Sequence, residues 1–309
     1  MDDLAERIKA ALGNRNGDPW YPELTVDLAA NAWYRLHRNI GLTPNSYGTE
    51  RVLSHSISAP RKIITSLSTC ALAGVPRIAI ESLTQECALN YQEKGVSFYS
   101  CAEILNTSVL ACIEDALAII NQVPSLMGTV SALVRSFHLI KPEYVDYDSS
   151  FSEPHVPFSI FVSVPEERIK NDALRVAEAI VHEAMHLQLT LLEDVSCLVN
   201  SAEGRYFSPW RREHRKAGSI LHGIYVFYVI HSFLGRLASI SSCPVNWLRH
   251  IKLRRREIRT QLDEMHTFQN CAELTAAGSI LVRMCVEDST SSRQPTDKTL
   301  STFRPLSFR

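Results

Sequence analysis

The 309-residue chain has eight cysteines but no Cys-x-x-Cys pair, which argues against a zinc ribbon or a thioredoxin-like redox site. The cysteines are Cys70, Cys87, Cys101, Cys112, Cys197, Cys243, Cys271 and Cys285, mostly in apolar surroundings such as the ALAG after Cys70. They read as reduced core thiols. Neither sign of charge dominates, with 32 Lys+Arg against 33 Asp+Glu and a net charge of −1. A general nucleic-acid binder needs a concentrated basic excess, and a chain kept unfolded by its own charge needs a large imbalance. Twelve glycines and 14 prolines are too few for a collagen-like or low-complexity body. The longest apolar run, Ile224 to Ile230, is far short of the roughly 20 residues that cross a bilayer. The opening MDDLAERIKAALG is acidic and amphipathic, without the basic start and apolar stretch of a signal peptide. A reducing, cytoplasmic setting with no membrane is therefore expected. No internal repeat is present.

The remainder is an ordinary globular balance, 45% hydrophobic and 21% charged, enough for one large domain or two smaller ones. Helices are expected over Asp2–Leu12 and Leu24–Ile40, the latter ending before GLTPNSYG. From Pro60 to about Gln122 the apolar spacing reads as helix throughout, with Ile78, Ile80, Leu83 and Cys87 and then Ile104, Val109, Leu110, Ile113, Leu117 and Ile120. Met127–Ile140 fits helix or strand equally. FSIFVSV, residues 158–164, alternates and is β-rich, which predicts a strand. A capping-box pattern at Ser163 to Glu166, with Pro165, starts a long helix there or at Asn171, running to about Val195. A polar loop follows, then helices over Ser219–Ser239, Trp247–Thr267 and Ala272–Val286. The fold class expected is mainly α, an α+β arrangement with a small sheet preceding the motif-bearing helix. The expected organisation is a helical N-terminal region over 1–125, a catalytic region over 126–286 and a flexible tail over 287–309.

The chemistry concentrates in Val181-His182-Glu183-Ala184-Met185-His186. Four-residue spacing puts both imidazoles on one helix face, where two nitrogens can hold one metal ion at about 2.1 Å each. Glu183 lies beside that face, placed to take a proton from bound water or to orient a ligand. The bland alternative is a helix whose two histidines bond to carboxylates. A third ligand must come from elsewhere. The extended zinc-protease pattern needs Gly and His where Leu189 and Leu192 stand, so that subclass is excluded. Glu193 and Glu203 are weak candidates. His222, followed by Gly223 at the start of an apolar helix, is better placed, because glycine admits a close approach. His214, His231, His250 and His266 read as structural or exposed. Between the two helices, YFSPWRREHR (206–215) offers arginines that can grip a carboxylate bidentately, with an aromatic beside them to exclude water.

HEAMH, YFSPWRREHR and LHGIYVF, in that order and at these gaps over residues 155–240, resemble a HExxH-motif family of alpha-ketoglutarate-dependent peptide beta-hydroxylases from bacterial ribosomal-peptide modification clusters. The resemblance implies a nonheme Fe(II) held by His182, His186 and His222, with alpha-ketoglutarate and O2 as cosubstrates and a ribosomally made precursor peptide as substrate. It implies a cosubstrate pocket in which Arg211 holds the distal carboxylate, Arg215 is the second choice, and Trp210 and Tyr225 stand alongside. Related sequences often continue SPWR with Asp-Pro-Arg-Pro. Here the loop runs Arg212-Glu213-His214-Arg215-Lys216, which keeps the positive charges and loses the prolines. In this setting Glu183 orients a ligand or water. The alternative is a zinc metallopeptidase with Glu183 as general base. A further alternative is a non-enzymatic helical module. It would bind peptide through Arg249–Arg259, where six Lys/Arg face one Glu. That segment is either a solvated helix face or a docking surface for an acidic peptide. Partners expected are the precursor peptide and, as a possibility of the same reading, a second copy of the chain; nucleic acid is not expected.

Overall fold

The structure is a computed structural model that describes residues 2–39, 62–67, 78–83, 85–143, 149–153, 158–168, 170–200 and 203–291. It is mainly helical with a small mixed sheet, as the sequence pattern predicts. The chain forms two compact units that interleave along the sequence. One unit is Trp20–Leu191 and the other joins Met1–Pro19 to Leu192–Phe308. Residue 125 falls inside the first of these.

Within Trp20–Leu191, α2 (Pro22–Asn39) is followed by β1 (Lys62–Leu67), β2 (Ile78–Ser82), α3 (Gln85–Gln92), α4 (Cys101–Asn106), α5 (Val109–Asn121), α6 (Pro124–Leu133), β3 (Ser136–Ile140), β4 (Ser150–Ser152) and β5 (Ser159–Ser163). The long helix α7 (Asp172–Glu193) begins here. The five strands run in the order β1-β2-β3-β5-β4. The inner pairs β2/β3 and β3/β5 are parallel and the outer pairs antiparallel. All five residues of β3 and of β5 are buried, as expected of parallel strands covered on both faces. Two of their serines meet across the ladder. Ser136 and Ser159 are register partners whose hydroxyls lie 2.6 Å apart. Phe151 and Phe161, opposite each other on β4 and β5, stack with centroids 4.4 Å apart. Beside them His138 stacks on Phe161 at 4.6 Å.

Two expectations are corrected in this unit. The stretch from Pro60 to Gln122 is not helical throughout, because β1 and β2 lie within it. Ile78 and Ile80 are two apart, the period of a strand, and β2 is largely buried. A short buried strand and a short buried helix share an apolar composition, and spacing alone does not separate them. Nor does Ser163 start a helix. It is the last residue of β5, its hydroxyl accepts the Ser149 amide at 2.8 Å, and α7 begins at Asp172, the later of the two expected starts. A capping box does form elsewhere, at α4. Ser100 Oγ accepts the Glu103 amide at 3.3 Å, and Glu103 accepts the Ser100 amide at 2.8 Å. The undecided stretch 127–140 resolves into both alternatives, the end of α6 and then β3.

The other unit holds α1 (Asp2–Gly13), the hairpin β6 (Arg205–Ser208) and β7 (Glu213–Lys216), α8 (Ala217–Ser239), α9 (Val245–Glu264), a 3-10 turn at His266–Asn270 and α10 (Ala276–Ser291). The hairpin replaces the expected polar loop. Its turn is held by Ser208, whose carbonyl accepts the Arg212 amide at 2.7 Å and whose hydroxyl accepts the Arg211 amide at 3.3 Å. Helix α8 is the apolar centre of this unit, with Ile220, Leu221, Ile224, Val226, Val229, Ile230, Phe233 and Leu234 all fully or nearly fully buried. Each such side chain contributes about 1.5–3 kcal/mol on burial. Helix α10 extends five residues into the tail expected to begin at 287. Beyond Ser291 that tail lies outside the described residues, as do the expected loop at 41–48, the start of the stretch at Pro60, and Cys70.

Candidate metal centre

Helix α7 places the motif. Val181, Ala184 and Met185 are fully buried, and Leu189 nearly so, and this apolar stripe fixes the helix's rotation. His182 is 6% exposed and Glu183 3% exposed. His186, one turn on, is half-buried. The two imidazoles meet as the spacing predicts, with Nε2 of His182 and Nε2 of His186 3.2 Å apart and the rings at 65°. Two Nε2 atoms at this distance need a positive centre between them, either a shared hydrogen or a metal ion. A proton serves when one ring donates and the other accepts. A divalent ion serves equally, because 3.2 Å is close to the span of two ligands each about 2.1 Å from one metal. The donor pair therefore fits a metal, and His182 and His186 are the residues that would hold it.

Glu183 is held in place by the sheet. Its Oε1 accepts a hydrogen bond from Ser150 Oγ at 2.8 Å and lies 3.9 Å from His182 Nε2. Ser150 sits on β4, and no sequence signal marks it. It is 33 residues before Glu183, on a strand whose three residues carry no motif. A buried carboxylate with a hydroxyl donor on one oxygen is oriented toward its neighbouring imidazole, the arrangement that fixes a ligand ring or a water.

The residues of the other unit have the following partners. His222 Nε2 is 2.9 Å from Oε2 of Glu193, a residue that sequence reasoning gave little weight. Among the described residues no group of three or more His, Cys, Asp or Glu side chains is placed to hold a metal ion. Gly223 does admit a close approach, and what approaches is Trp210. A Cβ at position 223 would come within 2.9 Å of the indole ring. The same ring stacks on Phe227 at 5.1 Å, nearly parallel. The buried Trp210 Nε1 has no hydrogen-bond partner among the described residues. Tyr225 is 1% exposed, and its hydroxyl donates to the Pro19 carbonyl at 3.0 Å. Arg215 stands opposite Tyr206 in the hairpin, with its Nε 3.6 Å from Glu213. Arg211 lies in the hairpin turn. No protein-family model matches the chain, and no curated protein matches it either.

Proposed function

We propose that the chain is a nonheme Fe(II)/alpha-ketoglutarate-dependent hydroxylase acting on a side-chain carbon of a ribosomally synthesised precursor peptide in the cytoplasm. The supporting observation is the pair of imidazole nitrogens 3.2 Å apart on a buried HExxH helix, joined to the order of the HEAMH, SPWR and LHG segments. Bound iron would supply O2 activation coupled to decarboxylation of alpha-ketoglutarate to succinate and CO2, one oxygen atom going into the substrate C–H bond and the other into succinate.

The protein's own groups have distinct parts. His182 and His186 hold the metal through Nε2. Glu183, fixed by Ser150, orients what lies beside His182 and does not serve as the base. The resemblance assigns His222 the third ligand position. Arg211, with Arg215 as second choice, holds the distal carboxylate of the cosubstrate, and Trp210 and Tyr225 belong to the same pocket.

Intact-mass analysis of a candidate precursor peptide co-expressed with this protein tests the reading. The expected result is a peptide heavier by one oxygen atom, with keto-acid-dependent succinate formation that is lost in His182→Ala and His186→Ala. A purified protein that holds zinc tightly and consumes no alpha-ketoglutarate with its peptide overturns it. Glu183's burial and its 3.9 Å approach to His182 Nε2 favour one second reading, a zinc peptidase with Glu183 as general base. That reading predicts two peptide fragments in the same spectrum and near-complete loss of cleavage in Glu183→Gln.

A further inference from the structure

Strand β6 and the turn that follows α9 border a cavity of about 640 Å³, a size within the roughly 300–1,000 Å³ common for ligand sites. Its lining includes Tyr206 and Phe207 of β6, Glu264 at the end of α9, and Met265, Phe268 and Cys271. All of these belong to the unit that contains Leu192–Phe308. Met265 and Phe268 are buried and supply apolar wall. Tyr206 meets Phe268 edge to face, with centroids 5.1 Å apart, and its hydroxyl contacts the Cys271 thiol at 3.1 Å. These two contacts hold the phenol ring in the wall. Among the described residues no Lys, Arg or His lines the cavity, and the one carboxylate that does is Glu264. A second carboxylate adjoins the phenol. Glu273 accepts the Gly204 amide through Oε1 at 2.6 Å, and its buried Oε2 has no hydrogen-bond partner among the described residues. Oε1 and the Tyr206 hydroxyl lie 2.5 and 2.9 Å from where a Cβ on Gly204 would stand.

We propose that this cavity binds the cationic side chain of a lysine or arginine carried by a peptide. Such a side chain has an aliphatic stem and a charged head, and the lining offers a match for each. The stem packs on Met265 and Phe268. The head lies against the aromatic rings, whose faces are electron-rich, and pairs with the Glu264 carboxylate. The Glu273 carboxylate beside Tyr206 adds to the same negative potential. An anionic ligand would meet carboxylates and no cation in the lining. Exposed Thr267 and Asn270 also line the cavity. Their hydroxyl and amide can hydrogen-bond a peptide backbone, and a free diamine has no counterpart for them. The site goes beyond the hydroxylase reading and stands without it, since it uses no residue assigned to the metal or the cosubstrate.

NMR titration of the full chain, labelled at its methionine methyl groups, with capped Ala-Lys-Ala at fixed ionic strength tests the site. The Met265 signal is assigned with Met265→Leu. A saturable shift of that signal is expected, and capped Ala-Arg-Ala should act alike. Replacing the lysine by its uncharged isostere norleucine should weaken binding about tenfold. Phe268→Leu, which stays apolar and loses the ring, should weaken it about fivefold, and Glu264→Gln about threefold. Glu264 is exposed, so its variant decides the matter if Phe268→Leu does not fold. Asp263→Asn, next to Glu264 but outside the lining, should bind as the parent does, which separates the site from diffuse surface charge. Binding should be the same before and after chelator treatment, which separates it from the metal centre. The proposal is overturned by a Met265 signal that does not shift to saturation, or by a norleucine peptide or free cadaverine that binds as tightly as the lysine peptide. Equal losses in Asp263→Asn and Glu264→Gln also overturn it.

Discussion

Glu103 combines two roles, closing the capping box of α4 and pairing with Lys141 at 2.6 Å. The Lys141 bond first, and the Ser100 backbone second, lower its pKa from 4.5 to about 2. A carboxylate with a depressed folded-state pKa adds stability above its unfolded value and loses it as pH falls through the folded one. Urea midpoints should therefore fall between pH 4.5 and about 2, and Lys141→Met should flatten that slope. His231 acts in the same direction at higher pH. The unfolded ring takes up a proton near 6.5 and the folded ring only near 3, so stability declines as pH drops below 6.5. A curve that stays flat from pH 7 to 4 would contradict the burial assigned to this ring. Ser150→Ala removes the donor to buried Glu183 and should cost about 1–3 kcal/mol in denaturant unfolding. At this scale the His182–His186 contact was legible, because a helix turn converts a four-residue spacing directly into proximity. Ser150 was not, because its proximity comes from the register of β4 on β5.

The helices of the C-terminal half were legible as elements. Their apolar residues recur over four or more turns, enough to separate period 3.6 from any other. The hairpin β6–β7 was hidden by its length, four residues per strand with only Ser208 buried, so no alternation could emerge. Strands β1 and β2 were hidden for the opposite reason, since β2 is almost wholly buried and no polar face marks a period of two. The approach of the hairpin's Trp210 to α8 gives a sharp test of packing. Gly223→Val would drive a side chain into the indole, whose ring is already 2.9 Å from the Cβ position. Overpacking of this kind costs about 1–3 kcal/mol, and the urea midpoint should fall accordingly. An unchanged midpoint would mean that the Trp210–Phe227 stack yields freely.

For the whole molecule, composition excluded more than it specified. The near-zero net charge and modest glycine and proline content left a helical α+β chain as the default, and the two interleaved units lay beyond reach because contacts between distant segments leave no trace in local pattern. Among the described residues one helix, α8, is long and apolar enough to cross a membrane, and 72% of its most apolar window is buried inside the protein. That burial makes its apolarity a folding requirement. Val226→Asp would put a charge at a fully buried position and should destabilise by more than about 4 kcal/mol, seen as loss of the cooperative thermal transition. The mixed sheet carries a different consequence at its margins. Among the described residues its two outermost strands are β1 and β4, and a margin left unpaired is a template on which a foreign backbone can add. The three residues of β4 give such an intruder little to grip. The six residues of β1 offer twice the length, so templated aggregation in this molecule should begin along β1.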